Sequence, residues 1–336
     1  MSPRTYLVTG GAGFLGSALV RRLVAAGHRV RILDDLSRGS ADRLHDLAGA
    51  YELIEADIRD TEAVVDAAKG VDSLCHFAFV NGTELFYAHP DRVLDVGVKG
   101  IVNVLEACNV HAIPELVVAS SSEVYHVPSQ IPTPEAVALT IPDPLNPRYS
   151  YAAGKMLTEM MALHANQQQL SRVLVVRPHN VYGPAMGWEH VVPQFALRMR
   201  LLARAPGEPI RFPIQGTGQE TRAFTHIDDF IDGLWLVMER GEHRAIYHIG
   251  TMEELTIEAV AKMVGRCFGK EVVVVPGQPA AGSPGRRCPD TAKIQQLGFR
   301  PRVRFMEGLP KVVKWYDDHA DEQPTTQSAR WVPVNR

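Results

Sequence analysis

Short apolar runs alternate along the first half of the chain with longer segments in which apolar residues recur every three or four positions. The short runs, which are rich in aliphatic and β-branched residues, cover residues 6–9, 30–33, 53–57, 73–77, 116–119 and 173–176. The longer segments cover residues 14–26, 61–69, 91–109 and 151–168. Strands that alternate with helices of this length predict right-handed βαβ units. The predicted fold class is therefore α/β, a Rossmann-like doubly wound parallel sheet.

The pattern changes after about residue 178, where proline and glycine become frequent and strand-like runs become rarer. Two isolated helical segments remain, at residues 228–240 and 256–268. We expect a Rossmann domain over residues 1–178 and a smaller, loop-rich C-terminal region over residues 179–317, some of whose segments return to the Rossmann body. Residues 318–336 are polar without periodicity and predict a loose tail.

The composition is that of a globular protein. The chain has 336 residues, of which 46% are hydrophobic and 22% charged, and its net charge is −3. This balance argues against nucleic acid or a membrane surface as a partner. The four cysteines form no CxxC pair and the histidines no HExxH motif, so we expect no metal site. No apolar run reaches the ~18 residues of a membrane span, and the first strand leaves no room for a signal peptide. We therefore expect a cytoplasmic protein.

A glycine-rich turn, Thr9-Gly-Gly-Ala-Gly-Phe-Leu-Gly16, joins the first predicted strand to the first predicted helix. Gly10 permits the tight turn, Gly13 lets a pyrophosphate approach the backbone, and Gly16 lets the helix pack close to the strand. Phe14 and Leu15 open the helix, whose free N–H groups and positive end attract phosphate. The turn therefore predicts a dinucleotide-binding site.

Asp34 ends the second predicted strand, 18 residues after Gly16. An acid at this place can accept hydrogen bonds from the ribose hydroxyls of adenosine and would repel a 2′-phosphate. NAD is therefore favoured over NADP as the cofactor, although the nearby Arg38 could soften that discrimination. Asp57 and Ile58 close the third strand, where an adenine edge would lie.

Polar residues suited to moving a proton stand at the rim where ligands bind in open α/β sheets. Ser121, Ser122 and Glu123 follow the fifth predicted strand. Tyr151 and Lys155 lie four residues apart on one face of the next helix. A lysine one turn away can lower the pKa of a tyrosine electrostatically, and a serine hydroxyl can then bond the reacting oxygen.

Together with the glycine turn, these residues resemble the extended short-chain dehydrogenase/reductases, in particular the NAD-dependent nucleotide-sugar epimerase/dehydratase family. The resemblance runs from about residue 5 to residue 316. Its marks are Gly10-x-x-Gly13-x-x-Gly16, Ser121 four residues before Tyr125, Tyr151-x-x-x-Lys155, Asn180-Val-Tyr-Gly-Pro184, Arg222-Ala-Phe-Thr225 ahead of Asp228-Asp229, and Arg287-Cys-Pro-Asp290. The set is specific for the family and poorly specific for the substrate.

The resemblance implies a role for each matching residue. Tyr151 would be the catalytic base, Lys155 its partner and a holder of the nicotinamide ribose, and Ser121 the family's hydroxyl residue. The further residues implied to line the cofactor are Ala78, Phe79 and Pro178. The residues implied to face a nucleotide-diphosphate sugar are Ser122, Asn180, Val192, Arg222 and Arg287. The C-terminal region would then bind the substrate, and residues 91–109 and 151–168 would form a homodimer through a four-helix bundle.

Several positions depart from the family's usual pattern. Gly97 and Ile101 stand where the family usually has asparagine and threonine, and His126 replaces a glycine. The asparagine normally braces the active-site backbone, so its loss concerns local geometry more than chemistry. Glu123 resembles the acid of 4,6-dehydratases and UDP-glucuronate decarboxylases, and Arg287 also looks decarboxylase-like.

The resemblance implies a reaction through a transient ketone, usually at C4 of the sugar, with hydride carried by tightly held NAD. Epimerisation at C4 ranks first because it needs only the residues seen. Glu123 keeps 4,6-dehydration and decarboxylation as alternatives. A non-catalytic NAD-sensing protein ranks lower because Ser121, Tyr151 and Lys155 are all intact. A small-ketone reductase also ranks lower, since it would not need Arg222 and Arg287. The nucleotide, the sugar and the stereocentre stay open.

Overall fold

The computed structural model describes residues 3–165, 170–205, 207, 209–279 and 282–323. Its strands are β1 (Thr5–Thr9), β2 (Arg29–Asp34), β3 (Glu52–Glu55), β4 (Ser73–His76), β5 (Glu115–Ala119), β6 (Arg172–Pro178), β7 (Val181–Tyr182), β8 (Ile210–Pro213), β9 (Thr221–Ala223), β10 (Thr225–His226), β11 (Ala245–Ile249), β12 (Glu254–Thr256), β13 (Val272–Val275) and β14 (Arg286–Arg287). Its helices are α1 (Phe14–Ala25), α2 (Thr61–Ala67), α3 (Thr83–Ala88), α4 (Pro90–His111), α5 (Ser150–Leu163), α6 (Val191–Leu202), α7 (Ile227–Arg240), α8 (Ile257–Cys267), α9 (Ala292–Gln296) and α10 (Phe305–Asp318).

A seven-stranded sheet forms the centre of the molecule, in the order β11-β6-β5-β4-β1-β2-β3. All neighbouring strands in this sheet run parallel. Since β1 lies between β2 and β4, the strand order reverses there, and a crevice opens beyond the carboxyl ends of the strands. The predicted α/β class with a Rossmann-like parallel sheet is confirmed.

Side chains alternate between two buried faces along the central strands. Leu7 of β1 packs on one face with Leu116 of β5, whereas Val8 packs on the other with Val117. Helices α2, α4 and α5 cover the first face, and α1 and α7 cover the second. Because both faces are buried, these strands are continuously apolar in sequence.

The predicted helices of the first half appear near their expected bounds, with one difference. The segment expected to be helical over residues 151–168 ends its helix at Leu163, and residues 166–169 lie outside the described part of the chain. Tyr151 and Lys155 both lie within this helix, α5, so their relative position on one face is as expected.

The C-terminal half contains more regular structure than its sequence pattern predicts. Helices α6, α8 and α10 pack with β8 and β13 into a third core that includes Phe212, Val260 and Tyr316. Helices α6 and α10 escaped the sequence analysis because each contains a proline, Pro193 and Pro310, which usually marks a break. Pro193 stands in the first turn of α6, where its missing N–H costs nothing.

The chain returns to the central sheet after entering this third core. Strand β11 pairs with β6 at the edge of the sheet, and α7 packs on the face that α1 covers. The predicted domain boundaries stay predictions. Of the predicted polar tail, residues 324–336 lie outside the described part of the chain. Among the described helices, none combines the length and the apolar character that crossing a membrane requires.

Candidate active site

A cleft of about 770 Å³ opens at the carboxyl ends of the central strands, against the third core. The predicted site residues that line it are Gly10, Gly13, Phe14, Leu15, Gly16, Phe79, Ser121, Ser122, Glu123, Tyr151, Lys155, Pro178, Asn180, Val192, Arg222 and Arg287. The fold therefore brings the glycine turn, the tyrosine–lysine pair and both distant arginines to one cavity. Four predicted cofactor residues stand outside its lining: Asp34, Asp57, Ile58 and Ala78.

The backbone of the glycine turn is packed so closely that side chains would not fit at Gly10 and Gly16. A turn without side chains lets the pyrophosphate of a dinucleotide approach the backbone. Gly10 has a φ of 70°, and a Cβ there would lie 2.6 Å from the backbone nitrogen of Ala78. A Cβ at Gly16 would collide with the carbonyl oxygen of Gly10. Helix α1 begins at Phe14, and its N-cap, Gly13, makes no side-chain bond to the first N–H groups. These N–H groups at the edge of the cleft fit the phosphates of a dinucleotide.

Asp34 ends β2 and braces the glycine turn from behind. Its Oδ2 accepts a hydrogen bond from the N–H of Ala12 at 2.9 Å, and its Oδ1 accepts one from Leu36 at 3.0 Å. Burial raises the pKa of this carboxyl group, and the two bonds oppose that rise. The acid therefore holds the turn in shape, and its contact with an adenosine ribose stays a prediction.

The other three residues outside the lining are held by local contacts. Asp57 pairs with Arg59 at 2.5 Å, and Ile58 is buried. The N–H of Ala78 points to Oγ1 of Thr9 at 3.4 Å. Their roles at the cofactor stay predictions.

Tyr151 lies between two aromatic rings at the floor of the cleft. Its ring stacks on Phe86 with centroids 4.8 Å apart and meets the ring of Phe79 edge-on at 5.2 Å. Burial raises the pKa of the phenol, and a hydrogen bond with the hydroxyl of Ser121 opposes the rise. In this state the phenol is protonated, so an added positive charge must lower its pKa before it can serve as a base.

Lys155 is held one helical turn from Tyr151. Its Nζ donates a hydrogen bond to the carbonyl oxygen of Ala119 at 2.6 Å and lies 4.1 Å from the ring centroid of Phe79. Burial lowers the pKa of this ammonium group to about 7, and the carboxylate of Glu159 opposes the fall. Lys155 therefore loses its proton more readily than an exposed lysine does.

Glu123 forms the centre of a charged cluster beside the catalytic hydroxyls. Arg287 donates a hydrogen bond to its Oε1, and Nη2 of Arg148 lies 3.7 Å from its Oε2. Burial would raise the pKa of Glu123, but Arg287 and Arg148 outweigh it and lower the pKa to about 2. The N–H of Glu123 donates a hydrogen bond to Oγ of Ser121 at 3.2 Å, which links the cluster to the serine predicted to be catalytic.

Both arginines of this cluster keep donor atoms without a partner. Arg148 and Arg287 are more than nine-tenths buried and line the cleft. Within the described part of the chain, Nε of Arg148 and Nη2 of Arg287 have no hydrogen-bond acceptor. Buried donors are normally paired, so these two atoms point to an anionic group that the cleft is built to receive.

Sheet register brings Arg222 next to Arg287. Strands β9 and β14 run parallel, and these two arginines are direct register partners. Arg222 donates to the carbonyl oxygen of Pro284 at 2.8 Å. Burial, with a smaller contribution from Arg287, lowers the pKa of Arg222 to about 10. Asn180, with a φ of 39°, fixes the neighbouring backbone by donating to the carbonyl oxygen of Ala223 at 3.0 Å.

Gly97 makes room for an aromatic ring rather than bracing the backbone. A Cβ at Gly97 would collide with the ring of Phe79, and one at Gly154 would come within 2.9 Å of the same ring. The glycine in place of the family's asparagine therefore lets Phe79 pack against Tyr151. His126, the other departure, has a φ of 47° and stands buried behind Glu123.

Several residues lining the cleft were missed by the sequence analysis, chief among them Arg148. It stands three residues before Tyr151, in the short 3₁₀ turn Pro147–Tyr149 that leads into α5. The position of Arg148 just ahead of the tyrosine–lysine segment is visible in the sequence, but its burial at the cleft is not. Arg43, Asn81, Thr83 and Arg198 also line the cleft, and nothing in their sequence surroundings points to it.

Comparison with known proteins finds relatives with three different activities. The model of the NAD dependent epimerase/dehydratase family matches residues 6–250. A dTDP-glucose 4,6-dehydratase from Streptomyces niveus is 32% identical over 326 residues, which cover 93% of both chains. UDP-glucuronic acid decarboxylase 4 from Arabidopsis thaliana is 30% identical, over 96% of this chain and 72% of its own.

Solved structures share the same architecture. The UDP-glucose 4-epimerase from Thermotoga maritima, solved with UDP-glucose, superposes with a TM-score of 0.82 at 26% sequence identity. The match covers 94% of this chain and 99% of the epimerase. The family and the fold by themselves therefore do not distinguish among the reactions of these relatives.

Proposed function

The chain belongs to the NAD-dependent epimerase/dehydratase family, so it is an enzyme and its cofactor is NAD; we propose that it decarboxylates a nucleotide-diphosphate hexuronate through a transient ketone at C4. The observation that carries the proposal is the pair of unpartnered arginine donors around Glu123. The sequence by itself ranks C4 epimerisation first. The charges of the site favour decarboxylation, which was one of the alternatives.

The excess of positive charge in the cleft supports a substrate with more than one anionic group. Arg148, Arg222 and Arg287 stand together there, and Glu123 is the carboxylate that faces two of them. Buried cations cost free energy unless they are paired. A diphosphate bound beside Arg222 and a sugar carboxylate bound beside Arg148 would pair these cations. A planar guanidinium can donate two hydrogen bonds to either anion.

The residues around Tyr151 are placed to form and use a C4 ketone. The glycine turn would hold NAD, which when bound would supply the hydride acceptor for C4 and the donor for the later reduction. Tyr151 takes the proton of the C4 hydroxyl, and Lys155 assists by holding positive charge one turn away. Ser121, bonded to Tyr151, keeps a hydroxyl donor on the C4 oxygen.

A C4 ketone stands two bonds from the carboxylate carbon of a hexuronate, which makes the intermediate a β-keto acid. The C5–carboxylate bond breaks, CO₂ leaves, and the electron pair moves to the C4 oxygen as an enolate. The hydroxyls of Ser121 and Tyr151 stabilise that oxygen by hydrogen bonding. C5 then takes a proton from water in place of the lost carboxylate. Return of the hydride to C4, together with the proton that Tyr151 took, gives a nucleotide-diphosphate pentose.

Glu123 favours loss of CO₂ over loss of water. Elimination of the C6 hydroxyl needs a protonated acid beside the leaving oxygen. Arg287 and Arg148 lower the pKa of Glu123, which makes it poorly suited to supply this proton, and the hydroxyls of Ser121 and Ser122 are weaker acids still. As an anion, Glu123 would repel a carboxylate placed in the same cluster, and the repulsion is relieved when CO₂ departs.

The product mixture from a panel of substrates tests the proposal. The enzyme would be incubated with UDP-, dTDP-, GDP- and CDP-linked hexoses and hexuronates, and the products followed by NMR together with CO₂ release. We expect one hexuronate to yield a pentose and one equivalent of CO₂. Conversion of a neutral hexose to its C4 epimer, or to a 4-keto-6-deoxy sugar, would contradict decarboxylation and support the corresponding alternative.

We also propose a homodimer through α4 and α5. Apolar side chains on the outer faces of these two helices are between 38% and 55% exposed: Leu94, Val102, Val110, Leu157 and Met160. Exposed apolar side chains on two helices that pack together are typical of an interface. Sedimentation of the wild type and of Val102→Glu tests the dimer, since a charge at the interface should give a monomer.

The four cysteines are free thiols, which fits the cytoplasm that we expect as the compartment.

A further inference from the structure

The segment of residues 183–190 crosses from the third core to the cofactor half of the cleft. It joins β7 to α6, and its residues Met186, Gly187, Glu189 and His190 line the same cavity as the glycine turn. Its base is fixed on the third core. The ring of Trp188 packs against Tyr316 with centroids 5.3 Å apart, and the hydroxyl of Tyr316 donates to the carbonyl oxygen of Gly187 at 2.5 Å.

Arg43 ties this segment directly to the glycine turn. Its Nη1 donates to the carbonyl oxygen of Ala12 at 3.1 Å, and its Nη2 donates to that of Ala185 at 3.1 Å. Ala12 belongs to the turn and Ala185 to the crossing segment. One half-buried guanidinium therefore joins the two walls of the cleft at the place where the pyrophosphate is expected.

Glu189 makes a second connection across the cleft. Its Oε2 lies 3.3 Å from Nη2 of Arg38, which follows β2, and 151 residues separate the two in the chain. Glu189 is only 12% exposed, whereas Arg38 is 36% exposed. Glu189 also presses against Gly82, where a Cβ would collide with the same carboxylate oxygen. It therefore contacts both loops, after β2 and after β4, that border the cofactor half.

We propose that Glu189 and Arg38 form a clasp that keeps NAD in its site between turnovers. The crossing segment is joined to the glycine turn through Arg43. The ion pair connects the end of the segment that contains Glu189 to the loop that follows Asp34. An enzyme that takes a hydride from its sugar and returns it has no need to exchange the dinucleotide. Slow release is then an advantage, and this holds whichever sugar is the substrate.

The rate at which NAD leaves the protein tests the clasp without any turnover. Protein loaded with NAD would be mixed with excess NADH, and the rise of bound-NADH fluorescence would report the release of NAD. We expect Glu189→Gln to release NAD about three- to tenfold faster than the wild type, the range for losing a partly buried ion pair. The matched control is Glu258→Gln, which breaks the pair with Lys262 on α8, two residues that are not part of the lining of the cleft. It should leave the release rate unchanged.

A charge reversal separates a clasp from a local structural role. Arg38→Glu alone should accelerate release, and the double variant Arg38→Glu with Glu189→Arg should return the rate towards that of the wild type. Melting temperatures of all variants would confirm that each is folded. The clasp is wrong if folded Glu189→Gln releases NAD within twofold of the wild-type rate. It is also wrong if the double reversal is no slower than the single variants.

Discussion

Arg287 donates a hydrogen bond to the carboxylate of Glu123, although 164 residues separate the two in the chain. Glu123 follows β5 on the rim of the Rossmann sheet, whereas Arg287 ends β14 in the C-terminal half. The pair thus crosses the cleft beside Tyr151. It also lowers the pKa of Glu123 and so favours the ionised carboxylate.

Replacing Glu123 by glutamine separates the possible reactions. For decarboxylation we expect turnover to fall on the order of 10²-fold, because a buried charge pair is broken. C4 oxidation should persist and give a transient absorbance at the NADH band. Product NMR beside that absorbance is the measurement. A mild effect on turnover would indicate simple epimerisation, and a large loss with no NADH signal would indicate a structural role.

Tyr151→Phe removes one hydroxyl and keeps the ring between Phe79 and Phe86. General acid–base catalysis contributes ~10²–10⁴-fold, so we expect a loss of kcat in that range. NAD affinity, measured by calorimetry, should stay close to that of the wild type, since the glycine turn is untouched. Activity within a few-fold of the wild type would show that another group takes the C4 proton.

Two arginine variants should distinguish the sugar from the diphosphate. Arg148→Gln should raise the KM for a hexuronate by roughly tenfold or more, as expected for a charged hydrogen bond of ~1.5–3 kcal/mol, and should leave the binding of a neutral nucleotide hexose unchanged. Arg222→Ala should instead weaken every nucleotide-diphosphate ligand by roughly ten- to hundredfold. Inhibition constants for UDP-glucose and UDP-glucuronate would be compared. Equal losses for both ligands in Arg148→Gln would contradict a carboxylate site.

NAD should bind more tightly than NADP, because a 2′-phosphate would approach the buried carboxylate of Asp34. A like-charge contact of this kind costs a few kcal/mol when it is desolvated. Asp34→Ala should also lower the binding affinity for NAD, since the carboxylate of Asp34 accepts a hydrogen bond from the N–H of Ala12 in the glycine turn. Calorimetric titration with both dinucleotides measures the difference. Equal or tighter binding of NADP by the wild type would contradict the prediction.

Lys155→Met should abolish activity yet stabilise the protein at neutral pH. Burial lowers the folded-state pKa of Lys155 to about 7, below the ~10.4 of an unfolded lysine. Between these values the unfolded chain binds more protons, so this group makes the wild type more stable as pH rises. We expect the melting temperature of Lys155→Met to exceed that of the wild type at pH 7. This difference in melting temperature should shrink as the pH is raised towards 10. The corresponding difference in the free energy of unfolding should fall by up to roughly 4 kcal/mol. A gap that does not change with pH would show that the lysine is charged in both states.

Local patterns in the sequence determined the Rossmann body and the catalytic pair. The strand runs are apolar throughout because both faces of the sheet are buried, and that property is visible in single segments. The glycine spacing and the separation of Tyr151 from Lys155 also act within one turn of backbone. Such features depend on residues a few positions apart, so they can be recognised without knowing which distant segments pack together.

Only the tertiary structure decided which distant charges meet. Arg222 and Arg287 become neighbours through the register of β9 and β14, and no local pattern specifies that register. The pairing of Glu189 with Arg38 likewise depends on a loop that crosses the cleft. Arg148 needed the fold before its buried, unpartnered donor could be seen. The sequence therefore indicated the family and its cofactor, whereas the charges on which the proposed reaction depends come from packing between segments far apart in the chain.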